Sequence, residues 1–138
     1  MPDATPQLCD GRLHKHADYQ HVYQQSRKHF SPSMTYFFRL RGDDVPAEGA
    51  RVGLTAGRVL GKAIDRNRIK RRMREAVRAH LGQLPSRVDV VLHPRKSVKD
   101  MDFARLSGEV STVFGTVRSL IEKRAAKTAV QPASGDRA

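Results

Sequence analysis

The chain has 138 residues, enough for one domain with little room for a second. Lysine and arginine number 26 against 14 acids, a net charge of +12, and such a field in a small domain favours polyanionic partners. No run approaches the ~20 apolar residues of a membrane span, the first residues lack a secretory-signal pattern, and the single Cys9 allows neither an internal disulfide nor a thiolate zinc site, so no membrane partner and a reducing, cytoplasmic setting are expected.

Residues 1–11 hold Pro2, Pro6 and Gly11 without apolar periodicity and read as a flexible leader. From Ala17 to Gln25, Tyr19, Val22 and Tyr23 fall at i, i+3, i+4 spacing and predict a short helix. Thr35 to Arg41 (TYFFRLR) has the aromatics and partial alternation of a strand, and Arg51 to Thr55 (RVGLT) is a second candidate. The Asp43–Gly49 segment between them is turn-rich, so the two strands are candidates for a hairpin. A helix is expected from about Asp65 to Leu81, stopped by Gly82 and Pro85. Val88 to His93 (VDVVLH) reads as a buried strand. After a cap at Asp100 or Asp102, Phe103, Leu106, Val110, Val113, Phe114, Val117, Leu120 and Ile121 trace one apolar face of a last helix. Residues 123–138 have no core face and read as a disordered tail. The expectation is a single α+β domain over 12–122, ordered α-β-β-β-α-β-α, with one mixed sheet covered by helices.

Charge concentrates in one window. Arg58, Lys62, Arg66, Arg68, Lys70, Arg71, Arg72, Arg74 and Arg78 face only Asp65 and Glu75 there, leaving +7 of the net +12. At 100° per residue, Ile69, Met73, Ala76 and His80 lie within about 40° of one line, with Val77 nearby. That face must meet the sheet. Asn67, Lys70, Arg71, Arg74 and Arg78 form a cationic stripe beside it, and Arg71 with Glu75 is an i, i+4 pair. An ordinary solvated face mixes signs, whereas like charges at i, i+3 and i+4 cost a few tenths of a kcal/mol per pair. A bound polyanion offsets that cost, and the arginine fork suits phosphate and base stacking.

Tyr19 and Tyr23 share a helical face, and the strand adds Tyr36, Phe37 and Phe38. Aromatics beside cations suit single-stranded nucleic acid, where bases stack and the backbone is neutralised. The bland alternative places most of these rings in the core. Strand alternation puts Phe37 opposite Tyr36 and Phe38 and does not say which side is the binding side. No helix-turn-helix, zinc-finger or basic-zipper pattern favours DNA. The six histidines are scattered, no H-E-x-x-H appears, and Asp43, Asp44 and Glu48 fall in a turn. Neither a catalytic residue nor a metal ligand is assigned to the chain.

The run from Arg51 to Ala76, RVGLTAGRVLGKAIDRNRIKRRMREA, resembles the bacterial ribonuclease P protein component. The resemblance is carried by Gly61, Ala63, Ile64, Arg66, Asn67, Arg68, Ile69, Lys70, Arg71, Arg74 and Glu75. It extends outward through Arg12, Leu13, Asp18, Tyr19, Val22 and Tyr23, and through Val88–Pro94 to the last helix. It implies the protein subunit of a ribonucleoprotein endonuclease that removes the 5′ leader of precursor tRNA. A catalytic RNA subunit carries the active site, with Mg2+ bound mainly by that RNA, and a 1:1 complex is implied. Arg66, Asn67, Arg68, Lys70, Arg71 and Arg74 would engage RNA, flanked by Arg58 and Lys62. Tyr19, Tyr23 and Phe37 would line a leader cleft, with Tyr where the family commonly has Phe at 19 and 23. The resemblance also implies a left-handed β-α-β crossover, against the general right-handed rule. The rivals are a general RNA-binding or ribosome-associated protein and a protein-only nuclease.

Overall fold

A computed structural model of the protein describes residues 13, 16–41 and 49–135, with side chains placed as far as Arg124. The leader expected at 1–11 and most of the Asp43–Gly49 turn lie outside the described residues. The elements are α1 (His16–Gln25), β1 (His29–Ser31), β2 (Met34–Leu40), β3 (Arg51–Leu54), α2 (Ala63–His80), β4 (Val88–Pro94) and α3 (Phe103–Gly135). Short 3-10 turns lie at Arg58–Leu60, Leu81–Gln83 and Lys96–Lys99. The order is the α-β-β-β-α-β-α expected.

The four strands form one mixed sheet in the order β1-β2-β4-β3. β2 runs antiparallel to both neighbours, and β3 lies parallel to β4. The hairpin considered between 35–41 and 51–55 is therefore not formed: β4 lies between those strands. The cause is length and burial. β2 pairs with β4 over seven positions, from Met34↔Pro94 to Leu40↔Val88, whereas β3 offers four residues. A near-continuously buried strand such as β4 belongs in the middle of a sheet. The hairpin that does form joins β2 to β1 across Pro32 and Ser33. Glu109 of α3 holds that turn, accepting hydrogen bonds from Ser31 Oγ (2.5 Å) and Ser33 N (2.7 Å).

One face of the sheet carries the main core. Tyr36, Phe38, Val52, Val88, Val90 and Leu92 pack there with Ile69, Met73, Ala76 and Val77 of α2 and with Leu106, Val110, Val113, Phe114, Val117 and Ile121 of α3. The wheel assignments hold for Ile69, Met73, Ala76 and Val77 of α2 and for α3 from Leu106 to Ile121, whereas His80 is half-buried and Phe103, expected on the core face, is exposed under the Arg72 guanidinium. α1 covers the opposite face with a smaller cluster, in which Leu13, Val22 and Val91 are buried and Tyr19, Tyr23 and Phe37 pack against them. α3 continues to Gly135, so the segment expected without structure from 123 has helical backbone up to that point. Lys123, Arg124, Ala125, Ala126 and Lys127, with which the segment starts, are all strong helix formers.

Candidate nucleic-acid interface

Side chains alternate between the faces of a strand, and the register sorts the odd-numbered residues of β2, β3 and β4 into rows on the α1 face. The first row is Arg51–Asp89–Arg39, the second Gly53–Val91–Phe37, and the third His93–Thr35–Phe30. Thr55 lies just past β3 at the end of the third row, its N–H donating to Leu92 O at 3.0 Å.

The first row is ionic. Asp89 is fully buried, and its carboxylate accepts from Arg51 Nε and Nη2, both at 2.9 Å, and from Arg41 Nη1 at 2.5 Å. Arg39 Nε lies 3.6 Å away. Arg51 also reaches Asp18 of α1 at 3.4 Å, and Arg41 Nη2 donates to Gly49 O at 2.6 Å. Hydrogen bonding to Asp89, more than any other influence, pushes the Arg51 guanidinium above its ordinary range and keeps it charged. A buried carboxylate is tolerable only when paired in this way. The cluster fastens α1 to β3 and β4 and so fixes where the helix lies over the sheet.

The second row makes room for a ring. A Cβ on Gly53 would stand 2.5 Å from Tyr19 Oη and 2.6 Å from its Cζ, so only glycine lets the Tyr19 ring lie against β3. Tyr19 Oη donates to Leu13 O at 3.2 Å. Tyr23 meets Phe37 edge to face, with centroids 5.0 Å apart at 78°.

In the third row, Tyr23 Oη is hydrogen-bonded to His93 Nε2 at 2.9 Å and lies 3.4 Å from Thr55 Oγ1. The His93 ring stands 5.7 Å from Tyr23 and 5.4 Å from Phe37. Burial pushes the His93 pKa down, and Lys28 adds to the effect, so the imidazole is neutral at pH 7. Tyr19, Tyr23 and Phe37 thus gather in one half-open recess, while Tyr36 and Phe38 are buried on the other face.

The basic residues lie along the segment leaving this recess. From Thr55 the chain passes through exposed Arg58, turns at Gly61 (φ 114°), and enters α2 at Lys62, its extended N-cap residue. Asn67, Arg68, Arg71 and Arg74 are exposed, and Lys70 and Arg66 are half-buried. Arg66 Nε is buried without a hydrogen-bond partner among the described residues. Arg68 Nε donates to Lys99 O at 2.9 Å. Arg72 is structural: it donates to Val98 O at 3.0 Å and to Met101 O, with its guanidinium over the Phe103 ring. The Arg71–Glu75 pair expected from spacing is replaced by Arg78–Glu75 at 3.2 Å, which leaves the Arg71 charge open to a ligand.

Sequence reasoning does not single out Asp89, Arg39, Arg41, Gly53, Thr55 or His93 as site residues. The available signal was parity. A lone Asp in an otherwise apolar strand, and a His four residues on, fall on the same side as Val91 and opposite Val90 and Leu92.

The architecture defines a known class of small α+β domain, that of ribonuclease P proteins. The chain superposes on the RNase P protein from Thermotoga maritima with a TM-score of 0.65 at 26% identity, covering 76% of this chain and 96% of that one. The Staphylococcus aureus RNase P protein shares the fold, with a TM-score of 0.62 at 24% identity over 74% of this chain and 90% of that one. The model of the family described as Ribonuclease P matches residues 10–118. The ribonuclease P protein component of Symbiobacterium thermophilum is 36% identical over 103 residues, 75% of this chain and 87% of the relative. That of Gluconacetobacter diazotrophicus is 38% identical over 100 residues, 72% and 84% of the two chains. This chain belongs to the ribonuclease P protein component family, whose members are subunits of an RNA-based endoribonuclease that processes tRNA 5′ ends.

Proposed function

We propose that the chain binds the catalytic RNA of ribonuclease P through α2 and the turn before it, and holds the 5′ leader of precursor tRNA in the α1 recess. The observation that carries this reading is continuity. Thr55 ends the recess, and the next residues lead through Arg58 and Lys62 to Arg66, Asn67, Arg68, Lys70, Arg71 and Arg74. Bases stack on Tyr19, Tyr23 and Phe37, and phosphates are neutralised on either side. The protein acts in the cytoplasm, one copy per RNA subunit, and raises precursor affinity.

Mg2+ belongs with the RNA in this reading. Among the described residues no three His, Cys, Asp or Glu side chains gather to hold a metal, and no catalytic step is assigned to the protein. No helix among these residues is long and apolar enough to cross a membrane.

The test is reconstitution. Protein added to ribonuclease P RNA at low magnesium is expected to stimulate removal of the 5′ leader, and protein without RNA to cleave nothing. Absence of stimulation would leave a general RNA-binding module, and cleavage without RNA would mean a protein-only nuclease. If about five phosphates are neutralised, log affinity should fall with log salt at a slope of roughly −3 to −5. Arg71→Ala is expected to weaken RNA binding and flatten that slope by about one unit.

A further inference from the structure

Phe30 is 69% exposed on β1, the most exposed of the chain's eight aromatic rings. It is the aromatic of residues 19–38 left out of the candidate set above. Register places it on the α1 face, opposite Thr35, which in turn pairs with His93. Two inter-strand spacings separate Phe30 from His93, about 10 Å. Between them stands Thr35, a short side chain flanked along its own strand by Phe37 on the same face. The row therefore has rings at both ends and a low centre.

Lys28 completes the arrangement. Its Nζ lies 6.0 Å from the Phe30 ring centroid, and its charge is felt at His93. It is exposed, as is Arg27 beside it. A cation over an exposed ring gains little in water, too little to explain keeping a large apolar surface wet. An exposed ring beside a short residue, with an ammonium group within reach of the ring, matches a nucleotide: base on ring, phosphate on lysine.

We infer that Phe30, Thr35 and Lys28 form a further nucleotide subsite that lengthens the recess, so that a leader leaving Tyr23 and Phe37 continues across the sheet towards β1. The inference rests on the leader-binding reading above. It names an occupant, a single-stranded nucleotide distal to those held by the recess, and ties that contact to Phe30 and Lys28 beside β1.

The experiment uses the reconstituted holoenzyme and two precursor tRNAs, one with a leader that ends within the recess and one with a leader that extends past it. Phe30→Ala is expected to weaken binding of the long-leader precursor about tenfold and leave the short-leader precursor unchanged. Phe30→Trp should restore the difference, and Lys28→Ala should reduce it and flatten the salt dependence for the long leader alone. Equal loss on both precursors, or no loss on either, overturns the subsite. Tyr23→Ala tested on the short leader reports on the recess separately, so failure of the parent reading is distinguishable from failure of this one.

Discussion

The two faces of the sheet are built from the same strands and serve opposite ends. Even-numbered residues of β2, β3 and β4 enter a continuous apolar core against α2 and α3, with Phe38, Val90 and Leu92 almost wholly excluded from water. Odd-numbered residues form an ionic row, a row built around a glycine, and a row of polar and aromatic groups under one short helix. A four-stranded sheet can thus concentrate stability on one side. The other side is then free to hold half-buried rings and a neutral histidine, groups that a tightly packed core would not expose.

Four changes would break or sharpen that contrast. Ile69→Asp puts a charge into the even-face core, where Ile69 is fully buried. It is expected to unfold the domain, read as loss of the cooperative transition in circular dichroism. Asp89→Asn strikes the odd face at its ionic anchor. Removing one partner of a buried cluster costs about 3–5 kcal/mol, which urea denaturation would detect. A cost below about 1 kcal/mol would mean that Arg39, Arg41 and Arg51 are not held by charge. Gly53→Ala forces the Tyr19 ring off β3 at a cost of about 1–3 kcal/mol. Precursor affinity should fall while RNA-subunit affinity stays level; equal loss of both would place Tyr19 outside the leader's path.

The smallest effect concerns pH. Burial lowers the pKa of His93 and of His29, with Lys28 contributing to the first and Arg124 and Arg27 to the second. The unfolded chain then binds more protons than the folded one between the depressed values and the ordinary 6.5. Stability is full above about 6.5 and declines as pH falls through that window. His93→Gln should flatten the decline in urea midpoints between pH 7 and 5, and an unchanged slope would remove His93 from the account.

The residue pattern was legible where structure is local. The apolar stripes of α2 and α3 survive because helix geometry alone decides which positions share a face. The opposition of Phe37 to Tyr36 and Phe38 followed from strand alternation, and burial then chose the recess side. Pairing was not legible. Nothing in TYFFRLR or RVGLT says that β4, some 34 residues beyond β3, will lie between them. β1 has three residues and no periodicity to announce it. The Asp89 cluster escaped notice because its arginines come from 39, 41 and 51, distant in sequence and joined only by the register.

The parallel pairing of β3 with β4 has a kinetic consequence. Parallel neighbours cannot be joined by a tight turn, so all of α2 must be threaded and docked before Val52 finds Val90. Loop closure of this kind is entropically slow, and here the loop is the most cationic part of the chain. The segment that must be docked to complete the sheet is thus the one that carries the densest like charge. A polyanion present at that moment, such as the RNA that α2 is proposed to bind, would lower the barrier to folding as well as stabilise the product.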